Sequence, residues 1–233
     1  MSTMLAIETS AELASVALLH EGVLTSDQAS GAVTHSQIIL PMAQRLLATA
    51  GVSLSQCDAV AFGAGPGSFT GVRTACGITQ GLAFGARLPV VPVGTLLAMA
   101  QRCREHTRAE NVLSVLDARM GEVYWAQYRF VSDEWQIVMP PMLSSADAVA
   151  PVGAAHVCGN GLRAYEQAFS QHDWTRCDMD DLVPHAAQVA RLAAHALARD
   201  GGVPARDAEP IYLRNKVALT TIERLEKAAR EAA

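Results

Sequence analysis

Two stretches of this chain open in the same way, and that repeat limits the fold more than any other feature. Residues 5–10, Leu-Ala-Ile-Glu-Thr-Ser, lead into Ala14, Ser15, Val16, Ala17 and Leu18. Residues 114–119, Ser-Val-Leu-Asp-Ala-Arg, lead into Glu122, Val123, Tyr124, Trp125 and Ala126. In each, an apolar run ends in an acid, a tight turn follows, and a second strand runs back. A duplicated α/β fold with a cleft between its halves accounts for the pattern.

The rest of the chain fits around the two openings. The first half reads as strands over 4–7, 13–20 and 23–30, a helix over 35–50 and a strand at 59–62. A helix over 72–86, a strand at 89–93 and a helix over 95–106 complete it. Thr34 suits an N-cap and Gly51 a stop, while Pro41 either kinks the first helix or moves its start. The second half reads as strands over 111–116, 122–130 and 135–139, with an apolar stretch at 154–158. Helices are expected around 144–149 and 162–169, over 185–199, and at the end over 217–230. The expectation is two β-β-β-α-β-α type halves, 1–109 and 110–233, the second carrying the terminal helix.

Composition removes several function classes. The chain has 233 residues, half of them hydrophobic, and a formal net charge of −5, which argues against a general nucleic-acid binder. Of its 18 basic residues only Lys216 and Lys227 are lysines, so no Walker-type phosphate loop can lie earlier. The five cysteines, Cys57, Cys76, Cys103, Cys158 and Cys177, show no C-x-x-C spacing and read as reduced thiols. No two histidines stand four apart, which disfavours a helical zinc site, and Ser68 lacks the G-x-S-x-G setting of a hydrolase nucleophile. The first residues lack a basic run, and the apolar runs are too short to span a bilayer. A cytoplasmic protein without membrane association is expected.

Two glycine patterns remain. Gly63, Gly65, Gly67 and Gly71 surround Pro66, Ser68 and Thr70 ahead of a helix. They serve either as a phosphate cradle or as a tight strand-to-helix turn. Within that helix Gly77, Gly81 and Gly85 recur every four residues on one face, near Arg73 and Gln80. Such a stripe admits close packing, against this chain's own elements or against a second subunit. Glu8 and Asp117 could form an acidic pair across the cleft. The segments Glu8-Thr9-Ser10 and Asp117-Ala118-Arg119 lack an adjacent glycine for phosphate approach. Gly159 and Gly161 flank a turn that could skirt a nucleotide base or be a plain turn.

The order of these motifs carries a resemblance. Ile7-Glu8-Thr9-Ser10 is followed by His35-Ser36-Gln37 and then by Gly-Pro-Gly-Ser-Phe-Thr-Gly-Val-Arg at 65–73. Asp117-Ala118-Arg119 with Glu122-Val123-Tyr124, and Pro210-Ile211-Tyr212-Leu213-Arg214, complete the series. Together they resemble the bacterial TsaB (YeaZ) family over almost the whole chain. The resemblance implies the duplicated actin-like/sugar-kinase/Hsp70-like (ASKHA) ATPase fold. It also implies a role in making threonylcarbamoyladenosine in tRNA, as the non-catalytic partner of the transferase TsaD, joined by the ATPase TsaE. Homodimers, and the contact with TsaD, would use the two helices at 35–50 and 71–86. The residues expected there are Ile39, Met42, Leu46, Arg73, Gly77, Gln80 and Gly81. Gly65, Gly67 and Gly71 would be structural. Glu8, Thr9, Ser10, Asp117, Arg119, Gly159 and Gly161 would line a vestigial cleft holding no metal and no cofactor. Glu8 stands where the family more often has Asp.

These expectations make the chain an activator or scaffold with no activity alone. The competing reading is a small-molecule kinase or ATPase of the same fold. The mixed-charge tail with Arg214, Lys216, Arg224, Lys227 and Arg230 reads as a solvated helix face, so any association with tRNA is indirect.

Overall fold

In the computed structural model, residues 2–31, 34–177 and 182–214 are described. The expected terminal helix at 217–230 and its basic residues lie outside them.

The first half runs β1 (Met4–Glu8), β2 (Ala14–His20), β3 (Val23–Ala29), α1 (His35–Ala50), β4 (Ala59–Gly65), α2 (Phe69–Ala86), β5 (Val90–Gly94) and α3 (Thr95–Thr107). The second runs β6 (Asn111–Arg119), β7 (Glu122–Val131), β8 (Glu134–Ser145), β9 (His156–Cys158), α4 (Gly161–Ala164), α5 (Glu166–Phe169), β10 (Thr175–Arg176) and α6 (Ala186–Asp200). The sheets have orders β3-β2-β1-β4-β5 and β8-β7-β6-β9-β10. In both, the first strand pairs antiparallel with the second and parallel with the fourth, so β6 repeats β1 strand for strand. The duplication read from the two openings is therefore a duplication of topology, and the chain has the expected duplicated α/β fold, two mixed five-stranded sheets of matching strand order.

Each central strand is buried on both faces. Leu5 and Ile7 of β1 pack with α1 and α2, while Met4 and Ala6 pack with α6. That double burial explains why β1 reads as a continuous apolar run rather than an alternating one. The helices after the fifth strands cross over. α3 packs its Leu96, Met99 and Cys103 against Val112, Leu116 and Tyr124 of the second sheet. α6, from the second half, lays Ala186, Val189, Ala190 and Ala193 on β1, β4 and β5 of the first.

Three local expectations need correction. Residues 144–149 are not a helix: Ser144 and Ser145 finish β8, and a single 3-10 turn at 146–148 follows. Ser144 is held in the strand by Trp125, whose indole N–H donates to its hydroxyl at 2.9 Å. The helix expected at 162–169 is broken at Tyr165 into α4 and α5, four residues each. α2 begins at Phe69 rather than Val72, because the Ser68 hydroxyl accepts from the Gly71 N–H at 3.4 Å and caps it. Pro41 lies inside α1, which runs from His35 to Ala50 without interruption.

Candidate functional site

The turn out of β1 and the loop out of β4 press against each other. The Ser68 N–H donates to the Ser10 carbonyl at 2.7 Å, and the Thr9 hydroxyl donates to the Gly71 carbonyl at 2.7 Å. A Cβ on Gly71 would collide with the Thr9 carbonyl, and one on Gly67 with Ser10. The side of this loop that could have cradled a phosphate is filled by Thr9 and Ser10 of the turn after β1. Gly65 has φ +106°, and a Cβ there would lie 2.8 Å from the Ile211 carbonyl oxygen.

Glu8 does not face the cleft. Its side chain is wholly buried against Gly63, where any Cβ would strike the carboxyl. One carboxyl oxygen accepts from the Ser10 N–H at 2.6 Å, and the other has no hydrogen-bond partner among the described residues. Burial raises its pKa above the ordinary 4.5, with the Ser10 hydrogen bonds pulling the other way. The expected acidic pair with Asp117 is therefore not assembled: one acid is sealed in the core, and the other lines the cleft. Thr9 is likewise fully buried.

The cleft itself is a cavity of about 460 Å³ between the halves. Ser10, His35, residues 66–69, Asp117, Arg119, Tyr124 and residues 211–214 line it. All five motifs that carry the resemblance thus contribute to one wall or another, although they span the whole chain. Asp117 accepts from the Arg119 N–H at 2.8 Å and the Tyr165 hydroxyl at 3.0 Å, and pairs with the Arg119 guanidinium at 3.0 Å. Its carboxylate is already occupied by this chain. Asn160 spans the cleft, accepting from the Asp117 N–H at 3.0 Å and donating to Glu12 at 3.1 Å. Gly159 and Gly161 do not line the cavity. A Cβ on either would meet Val115 of β6, so close packing explains both. Among the described residues no group of three His, Cys, Asp or Glu side chains is placed to hold a metal ion.

Residues 208–214 form a strap over this site. The Ile211 N–H donates to the Ala64 carbonyl at 2.7 Å, and the Ala208 carbonyl accepts from Gln80 at 3.0 Å and from the Cys76 thiol at 3.4 Å. Arg73 donates to the Tyr212 hydroxyl at 2.7 Å, with its guanidinium 3.6 Å from the Phe69 ring centre. Beyond them Arg214 pairs with Glu122 of β7 at 2.5 Å, so the strap touches both halves.

The residues expected at a partner face divide accordingly. Ile39 and Met42 are buried in this chain's own core and present nothing outward, a correction that follows from their packing against β1 and β2. Arg73 and Gln80 have their polar ends engaged by the strap. Leu46 is half-buried. Gly77 and Gly81 are exposed, and a Cβ on either would meet nothing within 4 Å. The same stripe carries Phe84, 80 % exposed, seven residues after Gly77 on the same helical face. The i, i+7 spacing of Phe84 from Gly77 is the sequence signal that marks it as part of this face.

Comparison with known proteins identifies the lineage. A family profile described as TsaD, tRNA N6-adenosine threonylcarbamoyltransferase, matches residues 30–179. The Haemophilus influenzae tRNA threonylcarbamoyladenosine biosynthesis protein TsaB is 43 % identical over 226 residues, covering 92 % of this chain and 94 % of that protein. The Escherichia coli TsaB is 40 % identical, covering 92 % and 95 %. The solved structure of YeaZ from Pseudomonas aeruginosa is 42 % identical with a TM-score of 0.85, covering 91 % of this chain and all of that one. With the cleft geometry, the strap and the duplicated sheets in place, these likenesses settle the lineage: the chain belongs to the TsaB family of tRNA threonylcarbamoyladenosine biosynthesis proteins.

Proposed function

We propose that this chain is a non-catalytic activator or scaffold subunit of the tRNA threonylcarbamoyl-transfer machinery, binding TsaD with TsaE. The observation that carries the reading is the fate of the two acids. Glu8 is sealed behind Gly63 and held toward its neutral form, and Asp117 is committed to Arg119 and Tyr165. The side of the β4 loop that could hold a phosphate is filled by Thr9 and Ser10, and both acids are engaged within the chain, which supports a subunit without ATP hydrolysis of its own.

The partner face of this proposal is the open side of α2 around Gly77, Gly81 and Phe84, and α1 adds the exposed Leu40 and the half-buried Leu46. A backbone bared by glycine lets another helix approach closely, and an exposed Phe supplies apolar area to bury. A homodimer would use the same face, so TsaD and a second copy would compete for it. Contact with tRNA is then made through the partners. The two halves, 1–109 and 110–233, are proposed as the partner-binding and supporting parts.

The test is binding of purified TsaD to the wild-type chain and to Gly81→Leu. The new side chain projects into open space, so folding is expected to persist while TsaD binding weakens at least about tenfold. Unchanged binding by a folded variant would place the face elsewhere. The kinase or ATPase alternative keeps one observation in its favour, the open cavity. It requires ATP turnover by the chain alone that is lost in Asp117→Ala.

A further inference from the structure

Three of the five thiols, far apart in sequence, meet in the core beneath the second sheet. Cys103 lies on α3, Cys158 ends β9, and Cys177 follows β10; all three belong to one packed cluster and are 0, 1 and 7 % exposed. β9 and β10 run parallel, with Thr175 opposite His156 and Arg176 opposite Val157. The Cys177 N–H donates to the Val157 carbonyl at 2.9 Å, so the same register sets Cys177 beside Cys158. α3 covers this pair: the Cys158 sulfur lies 3.9 Å from the Met99 carbonyl, one helical turn before Cys103. Cys103 therefore packs in one buried cluster with Cys158 and Cys177.

We propose that Cys103 is a peroxide-reactive site and that its oxidation closes a disulfide to Cys158 or Cys177, stapling α3 to the β9–β10 edge. The Cys103 thiolate sulfur attacks a hydroperoxide oxygen, the O–O bond breaks, and hydroxide leaves with a sulfenic acid remaining. The neighbouring thiol then attacks that sulfur, the S–O bond breaks, and water departs. Two electrons from the two thiols reduce one hydrogen peroxide to two waters.

Selectivity comes from the surroundings of each sulfur. Hydrogen bonding from Cys158, chiefly, lowers the Cys103 pKa to about 7 against the opposing effect of burial. Burial pushes Cys57 up to about 11, with Asp58 adding to it, and burial also raises Cys76. Those two thiols sit in the other half's core with β1 and β4. α3 is also the element that joins the first half to the second sheet, so the staple would lock that junction.

The experiment treats the reduced full-length chain with graded hydrogen peroxide, then alkylates it and maps its peptides by mass spectrometry. Two of the five thiols should be lost together, in a peptide joining Cys103 to Cys158 or Cys177, with recovery on reduction by a dithiol. Cys57→Ser and Cys76→Ser should form the same link, and Cys103→Ser should form none. A disulfide elsewhere, sulfinic acid without a link, or five intact thiols would overturn the proposal on the wild-type chain alone, whatever the folding of the variants.

Discussion

The Arg73 guanidinium donates to the Tyr212 hydroxyl at 2.7 Å, joining two motifs that lie 139 residues apart in the chain. Arg73 closes the glycine-loop motif and Tyr212 centres the last one. Neither makes sense alone: Arg73 is on an exposed helix surface, and the strap around Tyr212 has no regular secondary structure. Their pairing shows what holds the strap across the cleft.

Loosening that clasp should free the strap without unfolding the chain. Tyr212→Phe removes one partly exposed hydrogen bond and should cost about 0.5–1.5 kcal/mol or less. The local effect is larger than the global one: hydrogen exchange at the Ile211 amide, bonded to the Ala64 carbonyl, should accelerate relative to the wild type. Unchanged protection at Ile211 would mean that Arg73 does not hold the strap.

The glycines of α2 should respond in opposite directions. Gly71→Ala drives a methyl into the Thr9 carbonyl, backbone against backbone, and should destabilise by at least about 2 kcal/mol. Gly81→Ala meets open space and should stabilise the isolated chain by about 0.5–1 kcal/mol through helix propensity. Urea unfolding of the two variants separates a glycine needed for close approach from one that only bares a surface. Equal effects of one sign would contradict the assignment.

Much of the frame was legible from sequence because central strands buried on both faces write themselves as unbroken apolar runs. β1 and β6 did so, and their repeat gave the topology. The crossing of α3 and α6 between halves was not legible: an alanine-rich stripe says that a face is buried, not which sheet buries it. The same limit misplaced Ile39 and Met42, whose helical spacing suits a partner and an internal core equally. Arg73 and Gln80 were assigned outward because their strap partners stand more than 120 residues away. The burial of Glu8 depends on Gly63, 55 residues away in sequence, whose missing side chain leaves the space for the carboxyl. The helix expected at 144–149 failed because the Trp125 indole holds Ser144 in the strand.

Glu8 gives a pH signature with a definite sign. Its folded pKa lies above the unfolded value near 4.5, so the native state keeps a proton that the unfolded chain releases. The stability tied to the protonated form is complete below the unfolded value and is lost as pH rises through the folded one. Glu8→Gln cannot ionise and escapes this loss. The stability of the variant relative to wild type should therefore climb with pH above 4.5, by up to about 1.4 kcal/mol per unit within the window. Denaturant titrations at several pH values test it. A difference independent of pH would show that Glu8 titrates in the folded chain as it does in the unfolded one, and would contradict its raised pKa.

The most direct measurement is reconstitution of tRNA threonylcarbamoylation from purified TsaD, TsaE, the enzyme that forms threonylcarbamoyl-adenylate, tRNA and ATP, with and without this chain. An activator role predicts multi-turnover modification only when the chain is added, no reaction or ATP hydrolysis by the chain alone, and full support from Asp117→Ala. Turnover that is unaffected by omitting the chain would contradict it.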